Sequence, residues 1–478
     1  MSQTNSFQKS NNPNYIYFDL QQTNAYNNTA KEQNQLRFLE TRDSPIVQNS
    51  GDYVMSVSRF QVDTYSLPVL VCEPYIDSPG TFDFTKLTYQ VGIRVVGVEL
   101  PSMTAPKLTS LGALDNYTQF SRVSWRPDNP SVQPPTAAGA LTGKNTVLYP
   151  YYHCHSYDRF INFVNAAIKD TYIEMVNYLY TNLIPGVANR TNYGPAFLNV
   201  FLKQFPAPPF LRWSNFQANL IANALFTPPV GIFDTNYLIP GINWNVVGLN
   251  NIGTINKATP FKFQFLMNAS LYALFNTYPA TETIINNEKY FIIDFNFPQL
   301  TSISDVFFRP TGPAYTFDFD PAIFNPLTGI YTIPESQNYE WEYSNLYYSI
   351  PQEMSTIDTW CPINSIVFTT NTLPIIVNQA STVTTIGNQP PSAEVNSQFE
   401  LIITDFQTNQ QGFRPNVLYV PTSEYRRIDM TGNTPIQIID ISVLWRARTG
   451  QLQPFILPRG GSASLKILFE KKSLEQMK

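Results

Sequence analysis

The stretch of this chain that most restricts its fold lies near the carboxyl end, between residues 436 and 469. Ile439, Ile441, Val443 and Trp445 fall on one side of an extended backbone, and Asp440, Ser442 and Arg446 fall on the other. That period of two marks a half-buried strand. Arg448-Thr449-Gly450 predicts a turn, and Phe455-Ile456-Leu457 a second, shorter strand. Pro458-Arg459-Gly460-Gly461 then reverses the chain, glycine supplying the positive φ that a tight hairpin requires. The last strand alternates again, with Ala463, Leu465, Ile467 and Phe469 set against Ser464, Lys466 and Glu470. Three consecutive strands of this kind predict an antiparallel sheet.

Composition extends that reading to the whole chain. Only 14% of the 478 residues are charged, against roughly 25% in an average soluble protein, while aromatics reach 14%. Helix formers are scarce and β-branched and aromatic residues plentiful, so the expected class is mainly β. So little charge on so long a chain suits a protein buried in a larger assembly, because interface cores are poor in Lys, Glu and Asp and rich in aromatics. A neutral β protein with an Asn- and Gln-rich surface is the alternative.

The net charge is −5 and no long basic run occurs. Electrostatic binding of nucleic acid needs clustered Lys and Arg. The nearest approach is Arg446, Arg448, Arg459, Lys466, Lys471 and Lys472, spread over hairpin loops and one strand face, which reads as a solvated edge. Cys72, Cys154 and Cys361 lie too far apart in sequence for a disulfide framework and suit a reducing compartment. The first residues lack the basic start and apolar core of a signal peptide, and no apolar run approaches the roughly 20 residues of a membrane span. Synthesis in the cytoplasm without secretion is the expectation.

Residues 1–45 read as a flexible polar arm in which Tyr15, Tyr17 and Phe18 could pin it onto a neighbour. Residues 46–150 hold a first set of strands. Tyr53, Met55 and Val57 share a face, and the phase then slips to Phe60 and Val62, predicting a bulge near Ser58-Arg59. Residues 67–72 make a second apolar run, and Leu87, Tyr89, Val91, Ile93 and Val95 a long strand. A weaker strand follows at residues 120–125.

Residues 151–360 form a helix-containing region, either continuing β structure or an inserted domain. Ser156 can cap a long helix carrying Phe160, Phe163, Val164, Ala167, Ile168, Thr171, Met175, Val176 and Leu179 on one face, ended by Pro185-Gly186. Strands are expected within residues 210–225, 261–267 and 291–297, and Asn268 can cap a short helix. Further strands are expected near residues 314–319, 330–333 and 339–348. Residues 361–478 hold the closing strands, beginning at 365–368, 373–377 and 399–406. No fixed-period repeat occurs. Many short strands with prolines at their ends predict sandwiches.

Chemistry is sparse. The only histidines, His153 and His155, flank Cys154. Zinc needs three or four ligands. Asp158 could add one, but alternate residues on a strand put both imidazoles on one face with no metal present. A Ser-His-Asp site would have to use one of these histidines, and no Gly-x-Ser-x-Gly elbow, Walker loop or Gly-x-Gly-x-x-Gly occurs. Glu340 and Glu342 around Trp341, and Asp318 with Asp320, are the carboxylate pairs open to a glycosidase reading. Alternate acids on an exposed strand are commoner than catalytic pairs. No catalytic, cofactor or metal residue is therefore assigned, and an enzyme is not expected.

Two blocks carry a resemblance. One is Ser44-Pro45-Ile46-Val47-Gln48-Asn49-Ser50-Gly51-Asp52-Tyr53-Val54-Met55-Ser56-Val57-Ser58-Arg59-Phe60. The other runs from Glu424-Tyr425-Arg426-Arg427-Ile428-Asp429-Met430 through Gly460-Gly461-Ser462-Ala463-Ser464-Leu465 to Lys472. With the polar arm and the missing chemistry, they resemble jelly-roll capsid proteins of small DNA viruses of the virophage and polinton-like kind. The resemblance implies a subunit of an icosahedral shell that assembles with itself, as a trimer or pentamer, and with other capsid proteins. It implies location in the virion capsid and no catalysis. Strand count favours a double jelly roll. A single roll with a large insertion, as in pentons, would put the first and last strands in one sandwich. A viral attachment or carbohydrate-binding β protein and a glycoside-cleaving enzyme are the competing classes.

Overall fold

The computed structural model describes residues 13–24, 35–77, 81–96, 118–128, 132–136, 146–147, 149–183, 208–214, 217–223, 262–294, 307–308, 324–325, 330–331, 347–376, 397–401, 416–420 and 427–472. In chain order the first strands are β1 (Tyr15–Thr23), β2 (Arg37–Thr41), β3 (Tyr53–Asp63), β4 (Leu70–Val71), β5 (Pro74–Asp77), β6 (Thr81–Val96), β7 (Thr118–Ser124) and β8 (His153–Cys154). Helix α1 (Tyr157–Leu183) follows, then β9 (Phe210–Ser214), β10 (Gln217–Asn223) and β11 (Lys262–Asn268). After α2 (Ala269–Leu274) come β12 (Thr281–Ile285), β13 (Glu288–Asp294), β14 (Phe307–Phe308), β15 (Phe324–Asn325), β16 (Ile330–Tyr331) and β17 (Tyr347–Pro351). The closing strands are β18 (Ile363–Thr370), β19 (Ser397–Leu401), β20 (Asn416–Tyr419), β21 (Ile428–Asp429), β22 (Ile438–Ala447), β23 (Leu452–Pro454) and β24 (Ser462–Lys471). The chain divides into two compact units. One gathers residues 1–71, 139–156 and 358–478, and the other residues 72–138 and 157–357.

The first unit is a sandwich of two antiparallel sheets. One sheet runs β1-β24-β3-β20 with β21 also on β3, and the other runs β19-β18-β22-β2 with β23 also on β22. The alternation read in the sequence decides what each strand buries. Ile439, Ile441, Val443 and Trp445 of β22, and Ala463, Leu465, Ile467 and Phe469 of β24, all enter one core. Phe60, Val62, Ile366 and Phe368 meet them there. Each Val, Leu, Ile or Phe among them taken out of water contributes about 1.5–3 kcal/mol. The phase slip in β3 is a bulge, because Lys466 pairs with Arg59 and the next residue, Ile467, pairs with Val57. Ser58 is left without a partner across the ladder, and its hydroxyl donates to the Lys466 carbonyl at 3.2 Å.

Two expectations need correction in this unit. The closing stretch is not one meander, since β22 and β23 lie in one sheet and β24 in the other, between β1 and β3. Pro458-Arg459-Gly460-Gly461 is therefore a crossing between layers. Gly460 takes φ +79°, and Asn24 clasps the corner by bonding Leu457, Gly460 and Gly461. The stretch expected as a flexible arm also supplies structure. β1 pairs with β24 over nine residues, and β2 pairs with β22. The reason is local: Phe18, Leu20, Leu36 and Phe38 alternate within a polar composition and reach the core.

The second unit has a sheet ordered β12-β13-β11-β6-β5, with β7 on β6, and a separate sheet ordered β14-β17-β10-β9. Helix α1 covers β6 and β7, burying Phe160, Ile161, Val164, Ala167, Ile168, Tyr172 and Met175. Phe160 packs edge-on against Tyr89 at 5.5 Å. Asn165 ties the helix to β9 by exchanging two hydrogen bonds with Leu211. Asn268 caps α2 as expected, its side chain accepting from the Leu271 amide at 3.2 Å.

The roll is thus built from both ends of the chain. Residues 72–138 and 157–357, which interrupt that roll in sequence, gather into the second unit. The block expected as residues 46–150 is likewise split, its residues 72–138 falling in the second unit.

Candidate functional site: an assembly surface on the roll

His153 and Cys154 form the short strand β8 against β4, with Leu70 opposite Cys154 and Val71 opposite His153. His153 is buried, its Nε2 lies 3.2 Å from the Val147 carbonyl, and its ring meets Trp445 edge-on at 5.9 Å. Burial pushes this imidazole down to about 4; the Val147 carbonyl opposes the shift and the half-buried His155 adds to it. His155 is 6.3 Å away, centroid to centroid. Cys154 donates to the Ser156 carbonyl, and all three cysteines are buried free thiols. Among the described residues no group of three His, Cys, Asp or Glu could hold a metal, and His153 and Cys154 are buried in the core.

Glu340, Glu342, Asp318 and Asp320 lie outside the described residues, as do the expected strand at 314–319 and most of 339–348. The basic set does not converge. Arg446 is on the outer side of β22 and Lys466 on the outer side of β24, which belong to opposite sheets. Lys466 contacts Asp19 at 3.5 Å and lies over the Tyr17 ring, while Lys472 contacts Asp429 at 3.4 Å. In the second unit the Tyr290 hydroxyl sits between Gln90 and Glu288, 2.8 Å from each, and burial raises its pKa. Arg122 stacks 3.5 Å from the Tyr75 ring. That cluster satisfies itself.

What remains is apolar surface on the roll. Along β1 the even-numbered Phe18 and Leu20 face the core, so Tyr15, Tyr17 and Asp19 face out, with Tyr15 57% and Tyr17 61% exposed. At the other margin of the same sheet Val417 faces in, while Leu418 and Val420 are 51% and 52% exposed. Sequence reasoning named the tyrosines and missed Leu418 and Val420. The signal was present in Val417-Leu418-Tyr419-Val420, because a strand apolar on both faces is not a strand with one face in water. No described helix is long and apolar enough to cross a membrane.

The chain is 32% identical over 133 residues to Structural protein V19 of Sputnik virophage, covering 27% of this chain and 58% of that protein. The chain thus spans less than two thirds of that relative. It is 24% identical over 175 residues to Uncharacterized protein V18 of the same virophage, covering 37% of this chain and 92% of that one. A chain in the 3.5 Å cryo-EM structure of the Sputnik virophage shares its fold, with a TM-score of 0.57 and 20% identity over 97% of this chain and 99% of that one. A family model spans residues 16–471. The chain is a capsid subunit and belongs to the family described as Sputnik minor capsid protein V18/19.

Proposed function

We propose that this subunit is of the penton type: five copies close a ring through their rolls, and the ring meets other capsid proteins at a vertex of an icosahedral shell. The observation that carries the reading is the unit holding the roll, residues 1–71, 139–156 and 358–478, with residues 72–138 and 157–357 gathered into a second unit. That is the insertion arrangement which the resemblance associates with pentons. The low charge and the exposed aromatic margin of β1 support a chain that is completed by neighbours. Three buried thiols fit synthesis in a reducing host cytoplasm. The role is mechanical, and no catalytic step is assigned to it.

Native mass spectrometry of the purified full chain tests the reading. A species of five chains is expected at micromolar concentration. A stable monomer would remove the ring, and a trimer would point to a capsomer of the facet type.

A further inference from the structure

We infer that neighbouring copies meet through the two margins of one sheet: Tyr15, Tyr17 and Asp19 of one copy pack against Leu418, Val420 and Arg59 of the next. The inference rests on the ring reading and names its contact. Among the described residues, in the order β1-β24-β3-β20, β1 and β20 are the two edge strands. Three strand spacings separate them, about 14 Å. A ring contact is heterologous, joining two different surfaces present on every copy, and these margins are two such surfaces. Both are apolar, and aromatic residues and Arg are the types that interface centres favour.

Their charges are also opposite. Asp19 has a side chain 62% exposed and, among the described residues, one ion-pair contact, with Lys466 at 3.5 Å. Register places Lys466 between Asp19 and Arg59, and Val420 follows Tyr419, the partner of Phe60. Arg59 is exposed and donates to Gln61 at 2.6 Å, and it has no carboxylate partner among the described residues. A second copy bringing Asp19 to Arg59 would supply one. A flat apolar partner of another kind would leave Arg59 without a carboxylate.

The test uses the full chain as Tyr17→Cys, as Leu418→Cys, as the two co-expressed, and as the double variant. Each is treated with a short bismaleimide and run on a denaturing gel, with the unaltered chain and its three buried thiols as the blank. The expected result is a covalent dimer from the co-expressed pair, none from either variant alone, and a ladder from the double variant that ends at the closed ring. Dimers from a single variant alone would show a twofold contact and overturn the inference. So would the absence of cross-links in variants that native mass shows to be assembled. If the unaltered chain does not assemble, the ring reading itself fails, and the mass measurement separates that case from a wrong surface.

Discussion

Phe60 of β3 meets Phe368 of β18 edge to face, with centroids 5.1 Å apart and planes at 86°. The two rings come from opposite sheets, and each is fully buried. They join the amino-terminal and carboxyl-terminal parts of the chain across the core. Phe60→Ala is expected to cost the roll about 3–5 kcal/mol. The coupling to Phe368→Ala in a double-mutant cycle should be about 0.5–1.5 kcal/mol. Hydrogen exchange of peptides from β3 and β18 checks both figures, because it reads the roll separately from the second unit.

Acid should loosen the roll through His153. Its folded pKa of about 4 lies below the ordinary 6.5, so between those values the unfolded chain holds a proton that the folded chain does not. The stability from keeping it neutral is complete above about pH 6.5 and falls as pH drops toward 4. The loss approaches about 3 kcal/mol. His153→Gln keeps a donor for the Val147 carbonyl and removes the titration. Unfolding midpoints measured from pH 7.5 to 4.5 should fall less steeply in the variant than in the unaltered chain.

Gly51 approaches a neighbouring turn closely enough to forbid a side chain. Its amide donates to the Gly432 carbonyl at 2.7 Å, and a Cβ at Gly51 would stand 2.7 Å from that same oxygen. The Ser50 hydroxyl donates beside it, lying 2.7 Å from the Thr431 carbonyl and 3.0 Å from that of Gly432. Gly51→Ala is expected to cost about 1–3 kcal/mol, read as a lower thermal midpoint. A variant as stable as the parent would mean that the turn moves freely.

Deleting residues 436–478 should abolish folding of the roll, not assembly alone. β22 lies between β18 and β2, and β24 between β1 and β3, so the deletion removes an inner strand from each sheet. A soluble truncation with the exchange protection of the intact roll would contradict this.

How much of this was legible depended on whether the signal was local. The alternation at Ile439 to Trp445 and at Ala463 to Phe469, the slip at Ser58 and the cap at Asn268 are each written within a few residues, and the structure carries all of them. The partners of a strand are not written there. Nothing near Leu465 says that it pairs with Leu20 and Phe60 and not with β23. The arm was misread because its Asn and Gln content masked Phe18, Leu20, Leu36 and Phe38. His153 and Cys154 have the residue types of a metal site, and only their burial assigns them to packing. The margin of Leu418 and Val420 was readable in principle, but exposure depends on what lies beyond the strand.

A reconstruction of the virion at its fivefold vertices tests the central claim most directly. The account predicts five copies of a single roll, each with β1 and β24 side by side and β3 beyond, and with residues 72–138 and 157–357 in a separate unit. Two stacked rolls, one from each half of the chain, or a chain confined to the facets, would contradict it.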